Sequence, residues 1–223
     1  MTRNERRRPG FLRRMRRLPK ASEGLALTEF AFALPLLLVM LSFGVELANY
    51  VFAKKRIGDL AVLVADNASR MGTRSAGLSI HQISEAEIND VFIGAQLQAN
   101  MDDFTENGRI ILSSLQRNAE GGQWIAWQRC FGENAIPSAY GEEGEGATGT
   151  GFPGIGPDGN QVQAAPGTAV MAVEIHYRYE AVIPIVSIPP RTISELAVFN
   201  VRESRDLSAP RNAEGVEVAV CED

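Results

Sequence analysis

From Leu25 to Val45 the chain reads LALTEFAFALPLLLVMLSFGV, 21 residues in which Glu29 is the only charge. At 1.5 Å of rise per residue a helix of this length covers about 30 Å, the thickness of a bilayer's hydrocarbon core. The run therefore divides the chain into a short N-terminal leader, a membrane-spanning segment and a long C-terminal remainder. A removable signal peptide fits poorly, because its apolar region is only about 7 to 15 residues long and ends in small residues at a cleavage site. A twin-arginine signal also fits poorly, since both Pro9 and Gly10 separate Arg7 and Arg8 from Phe11 and Leu12.

The charge is distributed unevenly about this run. Residues 1–24 carry nine Lys and Arg against Glu5 and Glu23, a balance of +7, so that a net charge of −5 for all 223 residues leaves −12 beyond them. Basic residues flanking a span stay in the cytoplasm, which predicts a single-pass protein of the bacterial inner membrane with its N-terminus inside and residues 73–223 periplasmic or otherwise extracytoplasmic. The arginine cluster read alone also suits nucleic acid, but an apolar run follows it at once, and no nucleic-acid partner is expected. Cys130 and Cys221 fall on the side that this orientation makes oxidising. One disulfide is the natural reading, and two buried free thiols are the alternative.

Beyond the run, apolar residues recur three or four apart, except for a gap at Lys54, at Leu47, Tyr50, Ile57, Ala61, Val64, Ala68 and Met71. The spacing predicts that one helix continues out of the membrane as an amphipathic extension over residues 46–72, about 70 Å in all, bent at Pro35, weakened at Gly58 and stopped at Gly72. Glu46 is expected at the outer interface, with a surface role.

The string G-L-A-L-T-E-F joins the basic leader, residues 1–24, to the apolar run. Gly24 followed by Glu29 at the fifth position beyond it resembles the processing site of type IV-like prepilins. Phe30 beside that glutamate, the EFAFALPLLL run, the Gly44-Val45-Glu46 step and the amphipathic continuation are similar to the TadE family of pseudopilins from tight-adherence (Flp-type) pilus systems. The resemblance covers about Ser22 to Met71. It implies cutting between Gly24 and Leu25 by a prepilin peptidase, a role in pilus assembly without catalysis, and sister pseudopilins and the assembly machinery as partners. It also implies that Glu29 pairs with the new amine of Leu25, whereas Glu29 reaching back towards Lys20 and the arginines is the plainer alternative. Glycine suits a scissile bond because it has no side chain to clash as the helix end is drawn out.

The rest of the chain reads as an α+β domain, pilin-like in outline, with a four- to five-stranded antiparallel sheet. Ser84-Glu85-Ala86-Glu87 is a capping box, which predicts a second helix from Glu85 to about Asn100 with Ile88, Val91, Phe92 and Ala95 inward. Strands are expected over Arg109–Leu115, Gln123–Phe131, Met171–Tyr179 and Glu195–Arg202, with a short last one through Val216, Val218 and Val220. Met171 to Tyr179 alternates apolar and polar residues, the pattern of a strand with one buried face. Residues 132–167 hold 10 of the 21 glycines and four prolines. That composition predicts a mobile loop that buries little apolar surface, and its G-x-G-x-x-G matches have no strand and helix around them. His81 and His176, the only histidines, are expected on the surface. Neither has metal-ligand spacing around it, so no metal, cofactor or catalytic constellation is expected.

Overall fold

A computed structural model describes residues 23–74, 81–183, 192–202 and 204–221. The leader up to residue 22 and the prolines at 184, 189 and 190 lie outside the described residues. The first element is one helix, α1 (Glu23–Arg70), unbroken through Pro35 and Gly58. It is followed by a ribbon of two short strands, β1 (Thr73–Arg74) and β2 (His81–Gln82), the capped helix α2 (Glu85–Ala99) and a single turn, α3 (Phe104–Asn107). Four long strands complete the fold: β3 (Gly108–Arg117), β4 (Gln123–Phe131), β5 (Val170–Arg178) and β6 (Thr192–Asn200). They form an antiparallel sheet in the order β4-β3-β5-β6.

α1 has two halves with opposite surroundings. Nearly everything from Leu25 to Val45 is bare, and the helix is long and apolar enough to cross a membrane. From Glu46 onward its inner stripe, Ile57, Leu60, Ala61, Val64, Ala65 and Ala68, is buried against β5, β6 and α2. Each fully buried Ile or Leu there contributes about 1.5 to 3 kcal/mol. The stripe differs from the expected one at its beginning: traced back from Ile57 through Ala53 and Tyr50 it lands on Glu46, while Leu47 faces outward.

α2 starts where the capping box places it, with Ser84 Oγ accepting from Glu87 N and the Glu87 carboxylate accepting from Ser84 N. Ile88, Phe92, Ala95 and Ala99 turn inward. Val91 is only partly buried.

The sheet's second face is covered as well, which the alternation in β5 did not foretell. Ala172, Glu174 and His176 are as buried as Met171, Val173 and Ile175 on the helix side. The cover is the segment 132–167, whose expected lack of buried surface is incorrect. Ile155 and Ala164 are buried, with Phe152, Val162 and Tyr140 packed against them, in a second small core with Leu115, Ile125, Val170 and Ala172. Side chains of the sheet fasten the segment: Asn118 Nδ2 donates to the carbonyls of Gly146 and Gly149 at 2.8 and 2.7 Å, and the Gln123 amide bonds both backbone groups of Ala164. At Gly146, with φ +75°, a Cβ would run into the Gln123 carbonyl oxygen, so this glycine permits close packing.

No strand forms at Val216–Val220. Residues 204–221 instead run as a strap, bonded through Asp206 N to His81 O, Arg211 N to Ile83 O, Glu85 N to Arg211 O and Cys130 N to Ala219 O. The strap ends in the Cys130–Cys221 disulfide, which closes a separation of 91 residues.

Candidate functional site

Gly24 is the second residue of α1, and among the described residues no atom beyond its chain neighbours and the backbone of its own helix lies within 4 Å of where its Cβ would be. The amides of a first helical turn have no intrahelical acceptor, so drawing the Gly24–Leu25 bond into an extended form breaks little. Leu25, Glu29 and Phe30 are all exposed. Leu25 and Glu29 are four residues apart and therefore on one face, the spacing at which a carboxylate reaches an amine one turn away. Among the described residues the Glu29 carboxylate makes no hydrogen bond or ion pair, which leaves both the amine of a cut chain and the basic leader open to it.

The least expected residue is Glu46. It is 0 % exposed, at the turn where α1 passes from bare to packed. Its position on the inner stripe turns it into the sheet, and its carboxylate accepts from Tyr179 Oη at 2.7 Å and from Ile183 N at 3.0 Å. Tyr50 meets the Tyr179 ring edge-on, with centroids 5.3 Å apart. Burial first, then the hydrogen bond to Glu46 and its charge, push the Tyr179 phenol up to about 12. Glu46 thus joins the neck of the helix to the far end of β5. The stripe's own phase carries the signal for this: stepping back four residues from Tyr50 gives Glu46.

Glu46→Ala leaves the Tyr179 hydroxyl and the Ile183 amide without their acceptor, and is expected to lower stability by about 1 to 3 kcal/mol per orphaned group, read by urea titration. Alkaline pH provides a second check. A phenol whose pKa is raised on folding stabilises fully below the unfolded value of 10.0 and loses that contribution as pH climbs to about 12. Between those values the native chain should lose stability more steeply than Tyr179→Phe.

A second buried polar group ties the elements together at the other end. Arg129 on β4 forks onto Glu85 at the start of α2, with Nη2 2.6 Å from Oε1 and Nε 3.0 Å from Oε2, and its Nη1 reaches Glu143 at 3.1 Å. Burial lowers the pKa of this guanidinium, but hydrogen bonding and charge from Glu85, then Glu143, outweigh it and hold the group above its ordinary value. The pair joins helix, sheet and Gly-rich segment.

His176 is buried, against expectation, because residues 132–167 cover its face of the sheet. Its Nδ1 lies 2.8 Å from Ser194 Oγ. Its Nε2 is 3.5 Å from Glu174 Oε2, too far for a hydrogen bond. The Glu174 oxygens accept instead from Ser138 Oγ and Ala139 N. A serine–histidine–carboxylate relay needs hydrogen bonds on both ring nitrogens, so this group fastens the covering segment rather than activating Ser194. Among the described residues no three His, Cys, Asp or Glu side chains are grouped to hold a metal ion.

Cys130 and Cys221 are joined, with Cα atoms 4.8 Å apart. The alternative of two free thiols is therefore excluded. No protein-family model, curated protein or solved structure matches this chain.

Proposed function

We propose that this chain is a minor pseudopilin of a tight-adherence (Flp-type) pilus system, held in the bacterial inner membrane by α1 with its N-terminus in the cytoplasm and its α+β domain in the periplasm. A prepilin peptidase cuts it after Gly24. It then acts with sister pseudopilins and the assembly machinery as a structural part, without catalysis of its own. The observation that carries this reading is the division of α1: a bare apolar half beginning at Leu25, one residue beyond an unobstructed glycine, continues without a break into a half that roofs an antiparallel sheet. A subunit that is first cut at the membrane face and then packed by its helix needs both halves in one rigid rod.

A second reading is an unprocessed, signal-anchored envelope protein that works as a binding or adhesion module. It is favoured by Ile93 and Leu97, neighbours on the outer face of α2, which leave an apolar surface free on the folded domain. The mass of the chain, expressed with and without a prepilin peptidase, separates the two. A species beginning at Leu25 only when the peptidase is present supports the pseudopilin; an intact leader in the native host supports the anchored module.

A further inference from the structure

The apolar surface of α1 does not end where the lipid-length run ends. Leu47, Val51 and Phe52 prolong it, with Phe52 66 % exposed. Bare apolar surface thus reaches from Leu25 to Phe52, about 42 Å of helix against about 30 Å of hydrocarbon. A second element joins it at the same height. The bond from Ile183 N to Glu46 holds the chain after β5 beside the turn that follows Val45, and Val182, 67 % exposed, lines the same open groove as Phe52.

Within one turn beyond Phe52 along α1 come Lys54, Lys55 and Arg56. Apolar side chains followed by basic ones is the order in which a membrane interface is met from its lipid side. The basic side chains engage partners at the surface or partly buried: Lys55 with exposed Asp59, Lys54 at 3.9 Å from half-buried Glu195, and Arg56 with the Asn100 carbonyl. At the edge of a bilayer such side chains keep their charges in the wet layer among the lipid phosphates. Glu180, exposed two residues before Val182, limits the depth, since a carboxylate is not carried into hydrocarbon.

We propose that the base of the folded domain, through Phe52 and Val182, docks on the headgroup layer of the same bilayer that α1 crosses. This rests on the membrane-anchored reading and adds to it a posture: the domain lies against the surface rather than standing away on a stalk. The occupant is lipid, because the patch continues the surface that the span already presents to lipid. The excess of bare helix over the bilayer core is taken up where the base meets the headgroups.

The test uses the full chain in lipid nanodiscs. Because Cys130 and Cys221 are paired, Val39→Cys, Val182→Cys and Leu97→Cys each carry one free thiol for a nitroxide label, all at exposed positions. Relaxation by a water-soluble nickel chelate and by oxygen then reports depth. The Val39 label should respond to oxygen alone and the Leu97 label to nickel. The Val182 label should collide with nickel several-fold less often than the Leu97 label and with oxygen more often. A Val182 label indistinguishable from Leu97, with Val39 still in lipid, overturns the docking and leaves the span intact. A Val39 label that meets nickel as freely as Leu97 overturns the span itself.

Discussion

Replacing Cys130 and Cys221 together with alanine is expected to lower the stability of the folded domain by about 4 to 5 kcal/mol, the chain-entropy value for closing a loop of roughly 90 residues. For a domain of this size that is a fall in Tm of roughly 8 to 20 °C. The effect is large here because the loop that the bond closes is long, with a separation of 91 residues. The strap over residues 204–221 is mostly exposed or half-exposed and is otherwise tied to the body by hydrogen bonds, among them Cys130 N to Ala219 O beside the disulfide, Gln116 Nε2 to Leu207 O and the Arg205 guanidinium to the carbonyls of Ala68 and Ser69. Freed of the bond, the strap should exchange its amides first, and the bonds that Arg211 makes to Ile83 and Glu85 should follow. Calorimetry with and without reductant checks the magnitude, and hydrogen exchange checks the order. An unchanged Tm in the double alanine variant would show that the strap holds by itself.

Gly24→Val should abolish processing while leaving the fold unchanged. Among the described residues nothing outside its own helix comes within 4 Å of a Cβ at Gly24, so the β-branched side chain meets none of the folded domain. It clashes only where a peptidase must hold the scissile bond extended in a narrow groove. The expected result is that essentially all of the chain keeps its leader in the presence of the peptidase, by mass spectrometry, with an unaltered melting curve. Normal maturation of this variant would remove the assignment of the site. Glu29→Ala is its counterpart: cutting proceeds, because the bond at Gly24 is untouched, but assembly suffers if the carboxylate must meet the Leu25 amine. Normal piliation would favour Glu29 simply reaching towards the leader.

Much of the fold was legible because its signals are local. The capping box at Ser84 and Glu87 depends on four consecutive residues and marks the start of α2 correctly. The four long strands lie within a few residues of where alternation and turn chemistry put them. The features that escaped depend on contacts between distant parts of the chain. The composition of 132–167 averages over a few apolar residues, Ile155 and Ala164 among them, that suffice once the side chains of Asn118 in the β3–β4 turn and Gln123 on β4 bond to its backbone. With that cover unread, the polar side of β5 read as solvated, and Glu174 and His176 were placed in water when they are buried. The same cause underlies the missing last strand: Val216, Val218 and Val220 alternate, but the sheet edge beside them takes a single backbone bond near a disulfide instead of a ladder.

Of the candidate site, the segment Gly24 to Phe30 was visible because it is a short string in fixed spacing beside a span. Glu46 was not, though the information was present. A charged residue near a membrane boundary is ordinarily a surface residue, whereas the helical phase through Tyr50, Ala53 and Ile57 turns this one inward. The acceptor it provides for Tyr179 and Ile183 explains why a carboxylate can be buried there.

The central claim is that α1 crosses the bilayer once and places the folded domain on the far side from the leader. Leu97→Cys tests it most directly: the position is 78 % exposed on the folded domain, and the native cysteines are paired. Spheroplasts of the host carrying this variant, treated with a membrane-impermeant maleimide, should be labelled fully before lysis, with all of the protein in the membrane fraction. Labelling that appears only after lysis, or labelled protein recovered from the soluble cytoplasm, would contradict the account.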